Sequence, residues 1–341
     1  MENYKQILDK AIELNTSEKF NDVINLLSDE VLAKFNDSKL YGEKAQALWN
    51  NEFYDECKEV VNNAIKIDEL SAKAYNYLGN LNWKDNLYDN AIKNYKKAIE
   101  IDSNYFVPYH GLGIVYALMN QDDLSEKAYK KALDIETKAI KVLNNLGYLY
   151  LIQKKYDLAE KYFNQVLEID SKNINSNVGL GRIYYDKNNN EKTKEFFNKA
   201  IKIDPKSALA NNSLGVFYRR IKNFKKAEKF YKNAIKLDEK YSISYYNLGN
   251  LYYDLERFEE SKIFLRKYLE LNDEDNFSYK IVSSKIVEID NILNSKKYEK
   301  ITELTNKIKS ILLFKNTFLT HYTGIKVAQQ LILNSSPLRV S

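Results

Sequence analysis

Tyr75-Asn76-Tyr77-Leu78-Gly79 decides how this chain is read, because its Leu-Gly pair returns at a constant interval. Leu78-Gly79, Leu112-Gly113, Leu146-Gly147, Leu180-Gly181, Leu214-Gly215 and Leu248-Gly249 stand 34 residues apart, with no insertion or deletion among them. In the window from Ala72 to Tyr105, Tyr75 takes the fourth place, Leu78-Gly79 the seventh and eighth, and Tyr88 the seventeenth. Ala91, Tyr95 and Ala98 follow at the twentieth, twenty-fourth and twenty-seventh.

Apolar residues in each window follow a 3.6-residue spacing in two runs, separated by a short polar turn such as Lys84-Asp85-Asn86 or Asp186-Lys187-Asn188. Two such runs predict an antiparallel helix pair. The second helices are expected to end near Asp102, Glu136, Asp170, Asp204-Pro205 and Asp238, since a proline disfavours helical geometry in the residue before it. Glycine inside a helix costs about 1 kcal/mol against alanine, so its return at one place predicts close helix packing there. The first helix is expected to meet its partner across Gly79, with Ala91 and Ala98 keeping the other side thin.

The frame gives eight windows: 4–37, 38–71, 72–105, 106–139, 140–173, 174–207, 208–241 and 242–275. In the second, Tyr41, Ala45, Tyr54 and Ala64 hold their places without the Leu-Gly pair. In the first, Ile7, Ala11, Phe20 and Leu27 fit, whereas Lys10 replaces leucine and Glu30 replaces alanine, the polarity an end repeat needs. Past Asp275 the period slips by six residues. Counting back from Tyr298-Glu299-Lys300-Ile301 predicts a degenerate ninth helix pair over 276–315, with Ile286, Ile289, Ile292, Leu293, Ile301, Leu304, Ile308 and Ile311 covering the last open face as a C-terminal cap.

This pattern resembles the tetratricopeptide repeat, whose period is 34. The resemblance implies an all-α right-handed superhelical solenoid of antiparallel helix pairs, with the first helices lining an inner groove. It also implies that the second, fifth, ninth, twelfth and thirteenth places of a repeat face a ligand. Those places hold Lys73, Asn76, Asn80, Trp83 and Lys84; His110; Lys141, Asn144 and Tyr148; Arg182 and Tyr185; Asn212, Arg219 and Arg220; and Tyr246, Asn250 and Tyr253. Asparagine both donates to and accepts from a peptide backbone, and Tyr and Trp give amphipathic contact area at low entropic cost. Each of these residues could equally pack on a neighbouring repeat. With Lys5 and Lys39, the cations at these places outnumber Asp186 and Asp254, which predicts a positive inner face and an acidic, extended ligand. The clamp that members of the family use for a chaperone's terminal carboxylate is not assembled, because Asn76 and Asn80 are followed by Ile114 and then by Asn144 and Tyr148.

Composition agrees with a helical binding protein. Three prolines and ten glycines in 341 residues favour helix nearly everywhere. The net charge is +5, but residues 276–341 carry ten Lys or Arg against four Asp or Glu, which leaves −1 for everything before. A nearly neutral array argues against nucleic-acid binding, which wants a concentrated basic face. A polar start and no long apolar run predict neither a secretory signal nor a membrane span, and so a cytoplasmic protein. The single cysteine, Cys57, stands at the twentieth place, where buried packing is expected.

Catalysis finds no footing within 1–315. The two histidines, His110 and His321, are far apart in sequence, and no metal-ligand cluster, nucleophile-base pair or phosphate-binding loop can be drawn. The expectation is a non-enzymatic, cofactor-free protein- or peptide-binding scaffold. The runner-up is a sensor or regulatory array whose C-terminal effector lies beyond Ser341, and a third reading is self-association through end faces or groove. Residues 316–341 read as a tail. Through Phe318-Leu319-Thr320-His321-Tyr322-Thr323 and Leu338-Arg339-Val340-Ser341 they also resemble the opening of an uncharacterised bacterial C-terminal domain.

Overall fold

A computed structural model describes residues 3–272 and the helix Phe277–Phe314, with side chains of that helix over 278–309. The described residues are helices and turns, and they fall into two compact units, 1–203 and 204–341.

In the first unit α1 (Tyr4–Thr16) is followed by α2 (Phe20–Leu26) and α3 (Asp29–Phe35). Five helix pairs come next: α4 (Ser38–Asn50) with α5 (Tyr54–Ile67), α6 (Ala72–Lys84) with α7 (Tyr88–Ile101), α8 (Phe106–Leu118) with α9 (Asp122–Ile135), α10 (Ile140–Ile152) with α11 (Tyr156–Ile169), and α12 (Ile174–Asp186) with α13 (Asn190–Ile203). The second unit holds α14 (Ala208–Arg220) with α15 (Phe224–Leu237), α16 (Ser242–Asp254) with α17 (Phe258–Glu270), and α18 (Phe277–Phe314). Within each unit the fold is an all-α stack of antiparallel pairs. From α5 to α11 in the first unit, and for α15 and α17 in the second, each second helix lies against the first helix of its own repeat and the helix that follows it, and successive first helices touch along α4, α6, α8, α10 and α12.

The glycines explain the stacking. A Cβ built on Gly79 would lie 2.6 Å from the ring of Tyr95, and one on Gly147 2.7 Å from that of Phe163. The ring comes from the twenty-fourth place of the same repeat, so it is this aromatic that meets the glycine, while Ala91 and Ala98 are fully buried. Tyr95 and Phe163 are also covered from the other side by Gly111 and Gly179 of the following first helix. Each ring is thus held between two glycines on consecutive repeats, a dispersion contact that any side chain at those places would displace.

Each pair turns through one residue in the left-handed region, always at the fifteenth place: Glu18, Glu52, Asn86, Asn120, Lys154, Asn188, Lys222 and Glu256, with φ between 56° and 62°. Leu87 N–H then reaches back to the Asn82 carbonyl at 2.8 Å and Asn86 N–H to that of Trp83 at 3.0 Å, closing the helix end. The twentieth place is buried in the same way throughout. Cys57 is fully buried with its thiol 3.4 Å from the Ala45 carbonyl, and burial pushes its pKa up to about 12.

Two elements depart from the expectation. The second helix of the first repeat is split, because Ser28 accepts from Val31 N–H and starts a new helix whose first turn carries Asp29 and Glu30, stabilised there by the helix dipole. The ninth pair over 276–315 is instead the single helix α18. In its frame Ile289 stands where glycine would be, and Ile301 and Ile308 replace the small residues of the second helix, so no close crossing is available and Asn294 to Lys297 continue the helix rather than turn. Val282, Ile286 and Ile289 nevertheless pack on Leu265 and Tyr268 of α17. The tail 315–341, with His321 and its resemblance to a further domain, lies outside the described residues.

Candidate binding site

Facing places on the first helices build one hollow in the first unit. Its walls are Trp49, Tyr77, Trp83, Tyr95, Phe106, Val107, Gly111 and Ile114, its polar lining Gln46, Asn50, Asn80 and His110, and its far edge residues 138–142, where α9 turns into α10. The volume is about 490 Å³. The sequence sets the walls by putting large residues at the ninth, twelfth and first places of neighbouring repeats. Trp49 and Trp83, one repeat apart, lie 6.3 Å between ring centroids. A second, apolar depression continues from Ile114 through Leu118, Tyr148, Leu149 and Ile152. Leu118 is 51% exposed and Ile152 73%.

Within this surface Asn80 is engaged, since its Oδ1 accepts from the Tyr95 hydroxyl at 2.8 Å. His110 Nε2 lies 2.9 Å from Asn145 Nδ2. The amide N–H donates, which leaves the ring proton on Nδ1 of a neutral imidazole. Burial, reinforced by the Lys141 charge, holds the His110 pKa down at about 4. Lys138 and Lys141 are exposed, and among the described residues neither is in an ion pair; no Asp or Glu lines the hollow. Lys84 lies over the Tyr54 ring at 4.4 Å.

Other groove candidates hold the stack together. Asn144 Oδ1 accepts from Ser176 Oγ at 2.8 Å, and its Nδ2 donates to Asn173 Oδ1 at 3.3 Å. Asn76 is fully buried, with neither amide atom hydrogen-bonded. Tyr148 packs edge-on against Phe163 and donates to the Asn175 carbonyl at 2.8 Å, with Arg182 over its ring. Tyr185 is half-buried. Lys73 is paired with Glu43 at 2.7 Å, and burial lowers its pKa against that partner's pull.

In the second unit, Asn212 Oδ1 accepts from Asn247 Nδ2 at 2.9 Å and Ser244 Oγ at 3.3 Å. Arg219 is neutralised by Asp254, Nε to Oδ2 at 3.0 Å, and Arg220 is half-buried. Tyr246 packs on Tyr268, Asn250 Oδ1 accepts from Lys285 at 2.6 Å, and Tyr253 donates to Glu288 at 2.5 Å under the Lys285 ammonium. Of the cations counted at the facing places, Lys73 and Arg219 are paired with Glu43 and Asp254, whereas Lys141 is exposed and in no ion pair among the described residues, with Lys138 beside it.

Sequence reasoning missed Trp49, Phe106, Ile114, Leu118, Lys138 and Ile152. All but Lys138 stand at the family's facing places or the first place of a first helix, and the signal was their size and apolarity rather than hydrogen-bonding capacity. Among the described residues no group of three or more His, Cys, Asp or Glu could hold a metal, and no helix is long and apolar enough to cross a membrane.

Solved structures share this architecture. A tetratricopeptide repeat protein from Parabacteroides merdae ATCC 43184 superposes with a TM-score of 0.62 at 14% identity, over 74% of this chain and 98% of that one. The APC/C hetero-tetramer Cut9-Hcn1 gives 0.65 at 15% identity, over 83% and 56%. Yeast Tom70 gives 0.57 at 18% identity, over 93% and 64%. These likenesses concern the fold alone. No curated protein matches the sequence. Family models of the tetratricopeptide repeat match residues 108–138, 140–173, 174–207 and 206–274, and a TPR repeat model matches 84–120. Together they take in more than half of the chain, and its helix pairs, glycine seats and period agree with them: the chain belongs to the tetratricopeptide repeat family.

Proposed function

We propose that this protein is a non-enzymatic scaffold that holds an extended segment of a partner protein against the first-helix face of its first unit. The observation that carries the reading is the hollow walled by Trp49, Trp83, Phe106 and Ile114 and continued by Leu118, Tyr148 and Ile152. Exposed apolar side chains gathered on one face, rather than scattered, mark an interaction surface. A segment threaded along it would bury large side chains in the hollow and bring its backbone to Gln46 and Asn50. Lys138 and Lys141 favour acidic residues in that segment and steer its approach. Compared with the expectation from sequence, the weight shifts from the asparagines, which are built into the stack, to the aromatic and aliphatic residues between them.

Selection from a random peptide display library tests this. Wild type is compared with a Leu118→Ser, Ile152→Ser double variant and with Lys93→Ser, Lys97→Ser on the outer helix α7. Peptides enriched on wild type and on the outer-face variant, but lost on the groove variant, are expected. Equal enrichment on all three would remove this face from consideration.

A further inference from the structure

We propose that the hollow between α4, α6, α8 and the start of α10 is a subsite for an aromatic side chain carried next to a carboxylate. The inference rests on the peptide-binding reading above and names the anchor of that segment. Size is the first argument. About 490 Å³ lies towards the lower end of ligand pockets. A helix, about 10 Å across, does not enter such a space, whereas one ring with its backbone does. The walls are the second. Trp49, Tyr77, Trp83 and Phe106 offer ring edges and faces, and aromatic pairs gain on top of the area they bury. An aliphatic ligand would forgo that gain.

Charge is the third argument. At the far edge stand Lys138 and Lys141, exposed and with neither ammonium in an ion pair among the described residues; Glu136 beside them accepts from the Lys138 backbone N–H at 3.1 Å, and no carboxylate lines the hollow itself. The neighbouring imidazole of His110 is neutral and adds no charge of its own. The amide end of α10 opens on the same edge, where Ala139 provides no side-chain acceptor, so the helix dipole has the same sign as the lysines. A cationic group would meet two ammonium groups there against the single carboxylate of Glu136. A carboxylate on the ring's own residue or on the residue after it would be held by them.

The chain contains two tryptophans, Trp49 and Trp83, and both are walls of the hollow, so intrinsic tryptophan fluorescence reports from this site alone. We would titrate the full chain with N-acetylphenylalanine, N-acetylphenylalanyl-aspartyl amide, N-acetylphenylalaninamide and N-acetylalanine. A saturable change is expected with at least one of the first two. It should occur at concentrations at least about tenfold lower than with the neutral amide, and be absent for N-acetylalanine. Which of the two acids binds tells whether a terminal or a side-chain carboxylate is taken. A Lys138→Gln, Lys141→Gln variant, both positions being exposed, should keep its thermal unfolding midpoint and lose the tenfold preference. Equal binding of acid and amide, no saturable change with either acid, or a preference that survives the lysine substitutions would overturn the proposal. If library peptides bind this face without these probes doing so, the subsite falls and the scaffold reading stands; if neither binds, both fall.

Discussion

Two junctions between first helices in the first unit use the same places of the repeat and differ in their polar bond. Where α10 meets α12, Asn144 of the fifth place accepts from Ser176 of the next repeat's third place at 2.8 Å. Where α6 meets α8, the fifth place is again a buried asparagine, Asn76, but the third place is Pro108, which has no hydroxyl, and neither amide atom of Asn76 is bonded. An unsatisfied buried amide costs on the order of 1–3 kcal/mol. Both junctions nevertheless stack alike, because Tyr95 sits between Gly79 and Gly111 just as Phe163 sits between Gly147 and Gly179. The ring between two glycines fixes the stacking, and the asparagine-serine bond refines it.

The largest effect should come from attacking the ring seat. Gly147→Leu would drive a side chain into Phe163, and we expect a loss of about 4 kcal/mol or more, measured by urea unfolding; an unchanged midpoint would mean that the ring seat is not what fixes the junction. The α8–α10 junction offers the next test, since there the fifth place is His110, accepting from Asn145. Its folded pKa of about 4 lies below the ordinary value of 6.5, so the unfolded chain binds more protons between these values. Stability from this group is therefore complete above pH 6.5 and lost as pH falls towards 4, by on the order of 2 kcal/mol for a partly accessible ring. His110→Gln should flatten the wild-type decline between pH 7 and 4.5 in matched denaturant melts. Parallel pH profiles for the two proteins would contradict the neutral, amide-bonded imidazole.

The comparison of asparagines is sharpened by smaller changes. Ser176→Ala should cost about 1–2 kcal/mol by orphaning Oδ1 of Asn144, whereas Asn76→Leu should gain about 1 kcal/mol, because it removes an amide that has no partner. In a Pro108→Ser background the same Asn76→Leu change should turn unfavourable, a coupling of about 1–2 kcal/mol in a double-mutant cycle. Additive effects would show that the proline is not what leaves Asn76 unbonded. Least of all, Lys154→Gly at a left-handed turn position should raise the stability by about 0.5 kcal/mol, as glycine relieves the Cβ strain at some entropic cost. A fall in Tm would show that the lysine side chain contributes more than its backbone strain.

Helix pairing was legible because glycine recurring at the eighth place calls for a close crossing, but the residue that meets it was not: the sequence pointed to Ala91 and Ala98, whereas the twenty-fourth place supplies the contact, a ring at Gly79 and Gly147 and Leu265 at Gly249. The turns were legible as polar segments, but not their left-handed residue, since Glu52 and Lys154 carry no sign of that geometry and are held in it by the closing hydrogen bonds. A further signal stood in the sequence at twice the period. Asn76, Asn144 and Asn212 are 68 residues apart, as are Ser176 and Ser244, and the twentieth place alternates between Ala91, Ala159 and Ala227 and the hydroxyl residues Ser125, Thr193 and Ser261. Ser125 and Ser261 donate to the carbonyls of Gly113 and Gly249, each at 2.8 Å. Alternation of this kind points to polar residues that serve the stack, and it would have separated Asn144 and Asn212 from the ligand-facing set. The continuous α18 was hidden by the polar stretch Asn294 to Lys297, which fits a turn in composition and a helix in propensity, and lacks the close crossing that would decide for the turn.

The sequence by itself determined the repeat, its helix pairs and the glycine seats, because these depend on side-chain size at fixed spacing along one chain. Only the tertiary structure decided which facing residues remain open to a partner. Asn144, Lys73 and Arg219 find Ser176, Glu43 and Asp254 some 30 residues away in sequence, whereas Trp49, Trp83, Ile114 and Lys141 come together around a hollow. Whether a polar group is satisfied or available depends on neighbours brought by stacking, and local spacing does not encode them.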